Sequence, residues 1–349
     1  MSTPLVNPPR SICLLRLSAI GDCCHALALV RTLQHALPDT QLSWVIGRTE
    51  AGLMQGLDGV ELLVYDKQDR HAQKVFATLL RDRQFDVLLN LHASWRANRV
   101  SRRIYAPRKI GFDRARARDA QWLFNNERIA PQHNPHVLDG FFGFAERLGI
   151  MQRRYDWSLP IAAEDYVFAE RVAATNAPTV VISPCSSERR NNFRNWPAER
   201  FVALAEHATQ RHGATIIITG GVSAVEHEYA QIISDNGPAG IHNLVGKTTL
   251  KQLAALIDRA SVLIAPDSGP VHIATAVGTP VVGLYATSNP GRTGPVLSEH
   301  TINAYPEALQ QFMGREVSEV RWGQRVRHRD AMSLITTDQV CDAVDAILA

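Results

Sequence analysis

An aspartate follows the first glycine of the chain in the stretch LRLSAIGDCCHAL, residues 15–27. The apolar residues before this glycine predict a strand and those after it predict a helix, so that Asp22 lies at the turn between them. A carboxylate at a helix N-terminus is stabilised by the helix dipole and by free backbone N–H groups. Asp22 is therefore either a helix-capping acid or a general base that accepts a proton from a substrate hydroxyl.

The same turn does not have the pattern of a nucleotide-phosphate site. It contains neither GxGxxG nor GK[ST], which are the glycine-rich signatures of dinucleotide and ATP binding. A phosphate beside Asp22 would also meet like-charge repulsion. Phosphate groups of any ligand are therefore expected elsewhere in the chain.

One candidate phosphate site is the polar loop at 183–197, between a predicted strand and a predicted helix. Hydroxyls, backbone amides and guanidinium groups in one loop suit a diphosphate, although a solvated surface loop has a similar composition. The candidate side chains are Ser186, Ser187, Arg189, Arg190 and Arg194.

A second candidate is the run APDSGPVHIATAVGTPVVGLY at 265–285. Asp267 ends a predicted strand, and Ser268 and Gly269 present N–H groups at the start of a helix, where an anion binds favourably. His272 lies on this helix and is either a ligand-binding side chain or a histidine of the core.

A third candidate combines residues from two further loops. Gly220 and Gly221 follow a predicted strand and allow close approach of a ring or a ribose. Glu226 is a candidate acceptor for ribose hydroxyls or an ordinary first-turn acid, and Lys247 and Thr248 are candidates to line the nucleotide.

The segment 96–118 carries nine cationic side chains against one acid, Asp113, although the whole chain has a net charge of only +3. A phosphorylated, carboxylated glycolipid on an anionic membrane fits such a concentration of charge. A solvated basic face is an alternative. Nucleic-acid binding is a third interpretation, but the chain contains no recognised motif for it. The candidate residues for binding such a glycolipid are Arg96, Arg99, Arg102, Arg103 and Arg114.

Strand-length apolar runs, such as 41–47 and 241–246, alternate with helical patterns, such as those from Cys23 to Leu37 and at about 224–236. This alternation predicts an α/β protein with parallel sheets covered by helices. Weak periodicity near 151–178 predicts a domain boundary there. We expect an N-terminal Rossmann-like domain at 1–165, a C-terminal one at 166–335, and a terminal helix at 336–349 that is capped by Thr337 and packs back toward the first domain. Open parallel sheets bind ligands at the carboxyl ends of their strands, where all the candidate motifs lie.

The composition fits a globular protein of two domains. The chain has 349 residues, of which 45% are hydrophobic and 20% are charged. The five cysteines form no CxxC pair, and we expect a reduced, cytoplasmic compartment. Arg16 interrupts the first apolar run, which argues against a signal peptide, and no run of 18 apolar residues is present.

Taken in order, the motifs RLSAIGD, RNWP, LVGKTTL, DSGPVHIATAVGTPVVGLY and NPGRTGP resemble those of the ADP-heptose:lipopolysaccharide heptosyltransferases, glycosyltransferase family 9. The resemblance covers about 11–295 and is greatest to the heptosyltransferase I type. It implies a GT-B fold, with two Rossmann-like domains facing across a cleft. It also implies an inverting, metal-independent transfer of heptose from ADP-L-glycero-D-manno-heptose to Kdo of the lipopolysaccharide inner core.

The resemblance also assigns roles to individual residues. Asp22 matches the proposed catalytic base, and Arg194 stands where the family commonly has a lysine that contacts phosphate and sugar. A guanidinium is a planar fork rather than a point charge, so the contacts there are expected to differ. The remaining matches are Ser186 and Ser187 at the diphosphate, Glu226 near the ribose, and Asp267, Ser268, Gly269 and His272 in the D-[ST]-G-x-x-H motif.

Inverting transfer needs a base on one face of the sugar and positive charge at the departing diphosphate. The chain contains no DxD motif to hold a metal. We therefore expect the charge to fall on the helix that starts near Ser268, on Arg194 and on Lys247, with no cofactor and no metal. The expected partners are the nucleotide-sugar donor, a Kdo-lipid A acceptor and, by electrostatics, the inner face of the cytoplasmic membrane, with no nucleic acid. Other readings are a GT-B enzyme with another donor, an epimerase, or a non-catalytic anionic-glycolipid-binding protein.

Overall fold

The computed structural model describes residues 8–173, 176–187 and 192–349. Arg189 and Arg190 of the candidate phosphate loop lie outside these ranges. The chain divides into two compact units, Met1–Pro160 and Ile161–Ala349. Each unit contains one parallel six-stranded sheet among its described residues.

The sheet of the first unit has the strand order β3-β2-β1-β4-β5-β6, with every neighbouring pair parallel. Its strands are β1 Ser11–Leu15, β2 Gln41–Gly47, β3 Val60–Tyr65, β4 Val87–Asn90, β5 Arg108–Gly111 and β6 Glu127–Arg128. Its helices are α1 Ile20–Ala36, α2 Arg48–Met54, α3 Arg70–Arg81, α4 Trp95–Ser101 and α5 Val137–Arg147, with a 3-10 turn at Gln121–Leu123.

The sheet of the second unit has the order β12-β11-β10-β7-β8-β9, also parallel throughout. Its strands are β7 Thr179–Ile182, β8 Thr215–Ile218, β9 His242–Asn243, β10 Val262–Pro266, β11 Val281–Tyr285 and β12 Ile302–Asn303. Its helices are α6 Ala163–Val172, α7 Ala198–His212, α8 Ala224–Asn236, α9 Leu250–Asp258, α10 Gly269–Val277, α11 Pro290–Thr293, α12 Tyr305–Met313 and α13 Thr337–Leu348. Two 3-10 turns lie at Val317–Glu319 and Ala331–Leu334.

The two sheets have the same topology. Counted from the first strand of each unit, both follow the order 3-2-1-4-5-6, which is that of the Rossmann fold. The strand order therefore reverses between β1 and β4 in the first unit and between β7 and β10 in the second. Ligands of open α/β sheets bind at such a switch point, outside the carboxyl ends of the two strands.

The central strands are buried on both faces, which is why they read as continuous apolar runs. Ile12, Leu14 and Leu15 of β1 and Val180 and Ile182 of β7 have no exposed surface. A strand covered on both faces by helices has no polar face, so its sequence does not alternate.

The C-terminal helix packs against α7 within the second unit. Its N-cap is Thr336, whose side chain accepts a hydrogen bond from the backbone N–H of Gln339. The prediction of Thr337 as the cap was wrong by one residue, because two adjacent threonines both suit this position and only the backbone geometry distinguishes them. Its packing toward the first unit stays a prediction.

All five cysteines are buried and none forms a disulfide. No helix in the described ranges combines the length and the apolar character that crossing a bilayer requires.

Candidate functional site

Asp22 lies in the first turn of α1, directly beyond the carboxyl end of β1. Its Oδ2 accepts a charge-assisted hydrogen bond from Nη2 of Arg16 and a weak one from the backbone N–H of Ala19, at 3.4 Å. Its Oδ1 has no hydrogen-bond partner among the described residues. The carboxylate therefore has one oxygen held by the protein and one available to a hydroxyl.

Arg16 is fixed by three contacts at the same switch point. Its Nη1 donates to the carbonyl oxygen of Leu91 at 2.6 Å, its Nη2 donates to Asp22, and its guanidinium lies 5.5 Å from the ring centre of Phe141. Because Leu91 follows β4 and Arg16 follows β1, this one side chain joins the two strand ends between which the sheet order reverses.

His92 completes this group as a neutral imidazole. Its Nδ1 accepts a hydrogen bond from the backbone N–H of Leu17 at 3.2 Å. Burial, together with the nearby positive charge of Arg16, lowers the pKa of His92 to about 3. Its role is therefore to hold the loop after β1 and not to carry charge at neutral pH.

The loop after β1 is also closely packed by β2. A side chain at Gly47 would place its Cβ 2.2 Å from the carbonyl oxygen of Leu17, so only glycine allows this approach. Glu50, in the first turn of α2, has its pKa raised by burial.

The structure separates the basic segment of the first unit into paired and unpaired cations. Arg108 forms an ion pair with Glu127, Arg116 with Asp113, and Lys109 donates to the carbonyl oxygen of Ser101. The predicted acceptor residues are exposed and form no hydrogen bond or ion pair with any described residue through their side chains. They are Arg96, Arg99, Arg102, Arg103 and Arg114.

Asp119, just before the 3-10 turn at Gln121–Leu123, contacts the start of α4. The backbone N–H of Trp95 donates to Asp119 Oδ2 at 3.0 Å, and Asn98 donates to its carbonyl oxygen at 2.7 Å. Trp95 and, on the 3-10 turn that follows, Trp122 and Leu123 are exposed apolar side chains. The unpaired arginines of α4 thus lie in one region with exposed indole rings.

In the second unit, Asp267 joins three loops at the carboxyl end of β10. Its Oδ2 accepts from the hydroxyl of Ser288 at 2.8 Å and from Nη1 of Arg194 at 3.4 Å, and its carbonyl oxygen accepts from the same Nη1 at 2.9 Å. Both side chains of the Arg194–Asp267 pair are about nine-tenths buried. Arg194 is therefore held in place at the switch point, with its charge only partly neutralised.

A network of amides and hydroxyls shapes the loop after β7. Asn195 Oδ1 accepts from the backbone N–H of Ser186 at 2.9 Å and from its hydroxyl at 3.1 Å. Asn192 Nδ2 donates to Ser186 Oγ at 2.7 Å and to the carbonyl oxygen of Ser187 at 3.1 Å, and its Oδ1 accepts from Arg194 Nε at 3.0 Å. Ser186 is thus held by two asparagines of this loop, and its contact with the diphosphate stays a prediction.

The helix α10 begins beside Arg194. Ser268 is its N-cap residue, yet its hydroxyl caps no backbone group, and this buried Oγ has no hydrogen-bond partner in the described part of the chain. The free N–H groups of the first turn and this hydroxyl together form a donor set for an anion. His272 is buried one turn further along the helix.

Glu226 is occupied by its own loop. Its carboxylate accepts from the backbone N–H of Gly221 at 2.6 Å and from the N–H and hydroxyl of Ser223 at 3.1 and 2.7 Å, which forms the capping box of α8. Lys247 is exposed and donates to the carbonyl oxygen of Asn243 at 2.9 Å, next to Thr248.

Three residues of these two sites escaped the sequence reasoning. Arg16 was visible as a cation in an apolar run six residues before Asp22, but no local pattern shows that the two side chains pair, and only the strand order brings Arg16 to Leu91. His92 and Ser288 stand in loops after β4 and β11, and no local pattern distinguishes them from solvated loop residues. Their contacts depend on the long-range order of the sheet.

Comparison with known proteins agrees with this arrangement of two Rossmann-like units, which is the GT-B fold. Among solved structures, the glycosyl transferase family 9 protein of Veillonella parvula is 23% identical, with a TM-score of 0.79 and 99% of each chain covered. The structure titled E. coli heptosyltransferase WaaC with ADP is 18% identical, with a TM-score of 0.75 and coverage of 97% of this chain and 99% of that one.

Residues 74–319 match glycosyltransferase family 9 (heptosyltransferase). The chain is 40% identical to the lipopolysaccharide core heptosyltransferase OpsX of Haemophilus influenzae over 95% of each chain. It is 25% identical to lipopolysaccharide heptosyltransferase 3 of Escherichia coli K12 over 94% of this chain and 95% of the relative. The family match and the relative at 40% identity define a glycosyltransferase. The chain belongs to glycosyltransferase family 9 and is a heptosyltransferase of lipopolysaccharide core synthesis.

Proposed function

We propose that this enzyme transfers heptose from ADP-L-glycero-D-manno-heptose to Kdo of the lipopolysaccharide inner core, with inversion at the anomeric carbon and without a metal. The observation that carries the proposal is the Arg16–Asp22 pair at the β1/β4 switch point. It leaves Asp22 Oδ1 without a partner among the described residues, while Oδ2 is held by Arg16. A carboxylate held by one oxygen has the other in a fixed position for a proton.

In the proposed reaction, Asp22 Oδ1 accepts the proton of a Kdo hydroxyl as that oxygen attacks the anomeric carbon. The bond between this carbon and the diphosphate oxygen breaks, and ADP leaves on the opposite face. Positioned general bases of this kind contribute about 10²–10⁴-fold to rate. Arg16 orients the carboxylate and does not touch the substrate.

The departing diphosphate needs positive charge in the second unit. The N-terminus of α10, the unpartnered Ser268 hydroxyl and the buried Arg194 guanidinium support such a site. Asp267 positions Arg194 rather than binding phosphate itself, since its carboxylate is already shared by Arg194 and Ser288. These groups supply donors and charge at a helix terminus, which is the arrangement that binds diphosphates in many proteins.

The remaining donor contacts follow from the loops beside this helix. Ser187 and His272 are proposed near the diphosphate, and Lys247 and Thr248 near the nucleotide. Glu226 can contact the ribose only with a carboxylate that already caps α8. We therefore propose that the backbone of the neighbouring Gly220 and Gly221 forms the surface on which the ribose lies.

The acceptor is proposed to bind the unpaired arginines of the first unit. Kdo-lipid A carries carboxylate and phosphate groups, and Arg96, Arg99 and Arg114 are exposed cations without a partner in the described chain. The exposed Trp95 and Trp122 beside them favour an interfacial position, because indole rings partition to the headgroup region of membranes. We therefore propose a cytoplasmic enzyme that acts peripherally on the inner membrane.

The decisive experiment is an assay of the purified enzyme with ADP-heptose and defined Kdo-lipid A acceptors in the presence of EDTA. The proposal expects ADP release, a heptosylated product and an inverted anomeric configuration by NMR. Activity that is absent in EDTA and restored by a divalent ion would contradict the metal-independent mechanism. Transfer from another nucleotide sugar in preference to ADP-heptose would contradict the donor.

A further inference from the structure

The end of α7 and the C-terminal helix α13 bring two histidines and one aspartate together. His207 Nε2 lies 2.8 Å and His212 Nε2 lies 2.7 Å from the same carboxylate oxygen, Asp345 Oδ1. The three potential ligand atoms all lie within 4.8 Å of one another. Among the described residues this is the one group of three or more metal-ligating side chains that meets this criterion.

We propose that His207, His212 and Asp345 bind a divalent transition-metal ion of the Zn²⁺ class, which fixes the C-terminal helix to α7. This site goes beyond heptose transfer and is formed by residues that the proposed reaction does not use. Two imidazoles and one carboxylate are a donor set typical of zinc, whereas Mg²⁺ and Ca²⁺ prefer oxygen ligands alone.

The present distances are close to those that a bound ion requires. Zinc ligands at about 2.0–2.2 Å in a tetrahedron lie roughly 3.3 Å from one another. The carboxylate oxygen must therefore retreat by about 0.6 Å from each imidazole to admit the ion. Asp345 stands in the last turn of α13 and its side chain is partly exposed, so the shift does not have to displace a fully packed side chain.

The backbone beneath the two histidines is well supported. Phe201, Leu204 and Ala208 lie on the arc of α7 between the two histidines and are fully buried in the core. The three candidate ligands remain partly accessible, with 32%, 13% and 22% of their side-chain surfaces exposed. Solvent can therefore supply the fourth ligand that a three-residue site leaves open.

The positive charge of Arg211 disfavours the binding of a cation, but it also orients the Asp345 carboxylate. Arg211 Nε lies 2.9 Å from Asp345 Oδ2 in an ion pair, so the carboxylate presents only Oδ1 to the two imidazoles. This contact favours monodentate binding by Asp345. It also predicts that removing the guanidinium, as in Arg211→Gln, tightens metal binding.

The test is a titration of EDTA-stripped full-length protein with Zn²⁺, followed by calorimetry and by competition with a chromophoric chelator. We expect one equivalent to bind, and His207→Asn and His212→Asn each to weaken binding at least about tenfold. His35→Asn serves as the matched control, since His35 is an exposed histidine of the first unit, and should bind as the parent does. Substitution of Co²⁺ for Zn²⁺ should give the absorption of a tetrahedral site.

A second readout separates a metal site from a purely hydrogen-bonded cluster. Zinc at 100 times the parent's Kd should raise the melting temperature of the parent by about 5 °C or more and that of the two variants by at most about half as much. Absence of saturable binding in the parent, or equal binding by the parent and the His207→Asn/His212→Asn double variant, would overturn the proposal. Circular dichroism and ADP titration confirm that each variant is folded, and the conservative Asp345→Asn variant replaces any that is not.

Discussion

Replacement of Asp22 by asparagine tests the catalytic assignment, because it keeps the shape of the side chain and removes its ability to take a proton. In the structure, Asp22 Oδ2 accepts from Arg16, and Oδ1 has no partner in the described chain. The amide oxygen of the Asp22→Asn variant can still accept one hydrogen bond from Arg16. The position of the loop should therefore survive while base catalysis is lost.

The loss of base catalysis and the loss of stability in this variant are expected to differ in size. Loss of a general base lowers kcat by about 10²–10⁴-fold, or about 2.7–5.4 kcal/mol in activation free energy. The side chains of Arg16 and Asp22 are 12% and 30% exposed, so the pair is only partly desolvated. Because Arg16 loses its charged partner, the free energy of unfolding should fall by about 1–2 kcal/mol. This loss of stability is small beside the change in activation free energy.

The assay measures kcat and KM of Asp22→Asn, its free energy of unfolding in urea, and its affinity for ADP by calorimetry. We expect kcat to fall within that range and ADP affinity to stay within about twofold, because the nucleotide site is assigned to the second unit. In Arg16→Gln/Asp22→Asn, the unpaired charge is gone and part of the stability should return without any return of activity. A turnover within tenfold of the parent in Asp22→Asn would refute the assignment of the base.

Four further predictions follow from individual contacts. Arg194→Ala should raise the Kd for ADP about 10–100-fold by calorimetry, because a partly buried charged donor is lost; an unchanged Kd would exclude the residue from the phosphate site. The pKa of His92 is lowered to about 3, so the unfolded chain binds a proton that the folded chain does not between about pH 6.5 and 3, and stability falls as the pH drops. In His92→Gln the pH dependence of urea unfolding should lose about 1.4 kcal/mol per pH unit in this window. Trp122→Ala combined with Leu123→Ala should weaken cosedimentation with anionic vesicles while turnover of a delipidated acceptor is retained; equal vesicle binding would refute an interfacial role. Glu226→Ala should lower stability by about 1 kcal/mol in thermal unfolding, whereas Glu226→Gln, which keeps the capping box, should not.

Much of the fold follows from the sequence because buried parallel strands are continuous apolar runs. The prediction at 41–47 coincides with β2, and the helix predicted at 224–236 coincides with α8. The strands β6, β9 and β12 have two residues each, which is too short to give a hydrophobic period. Of these, β6 and β12 were not predicted, because their pairing is decided by the neighbouring strand.

The helix starts show a second limit of local reasoning. The helix after β1 was predicted from Cys23 but begins at Ile20, so that Asp22 lies inside its first turn. Composition alone does not say whether an acid precedes a helix or belongs to it, because both positions gain from the free N–H groups.

The candidate site could be predicted from the sequence only as separate pieces. Asp22, Asp267 and the α10 terminus were identified from their positions after strands. The pairing of Asp22 with Arg16 forms within one strand–helix turn but has no recognisable pattern, whereas that of Asp267 with Arg194 and Ser288 depends on which strands are neighbours. Conversely, Glu226 has a local signature, the Ser223–Glu226 spacing of a capping box, which explains its carboxylate without any ligand.

The identical strand order of the two sheets has a consequence for how this enzyme can change. Each unit has its own switch point, and the loops that converge there can vary without altering the strands that hold them. One unit presents a paired acid, and the other presents a helix terminus and a buried guanidinium. With the proposed roles, a new donor preference can arise by replacement of the loops after β7, β8, β9 and β10, while Asp22 of the other unit is inherited unchanged.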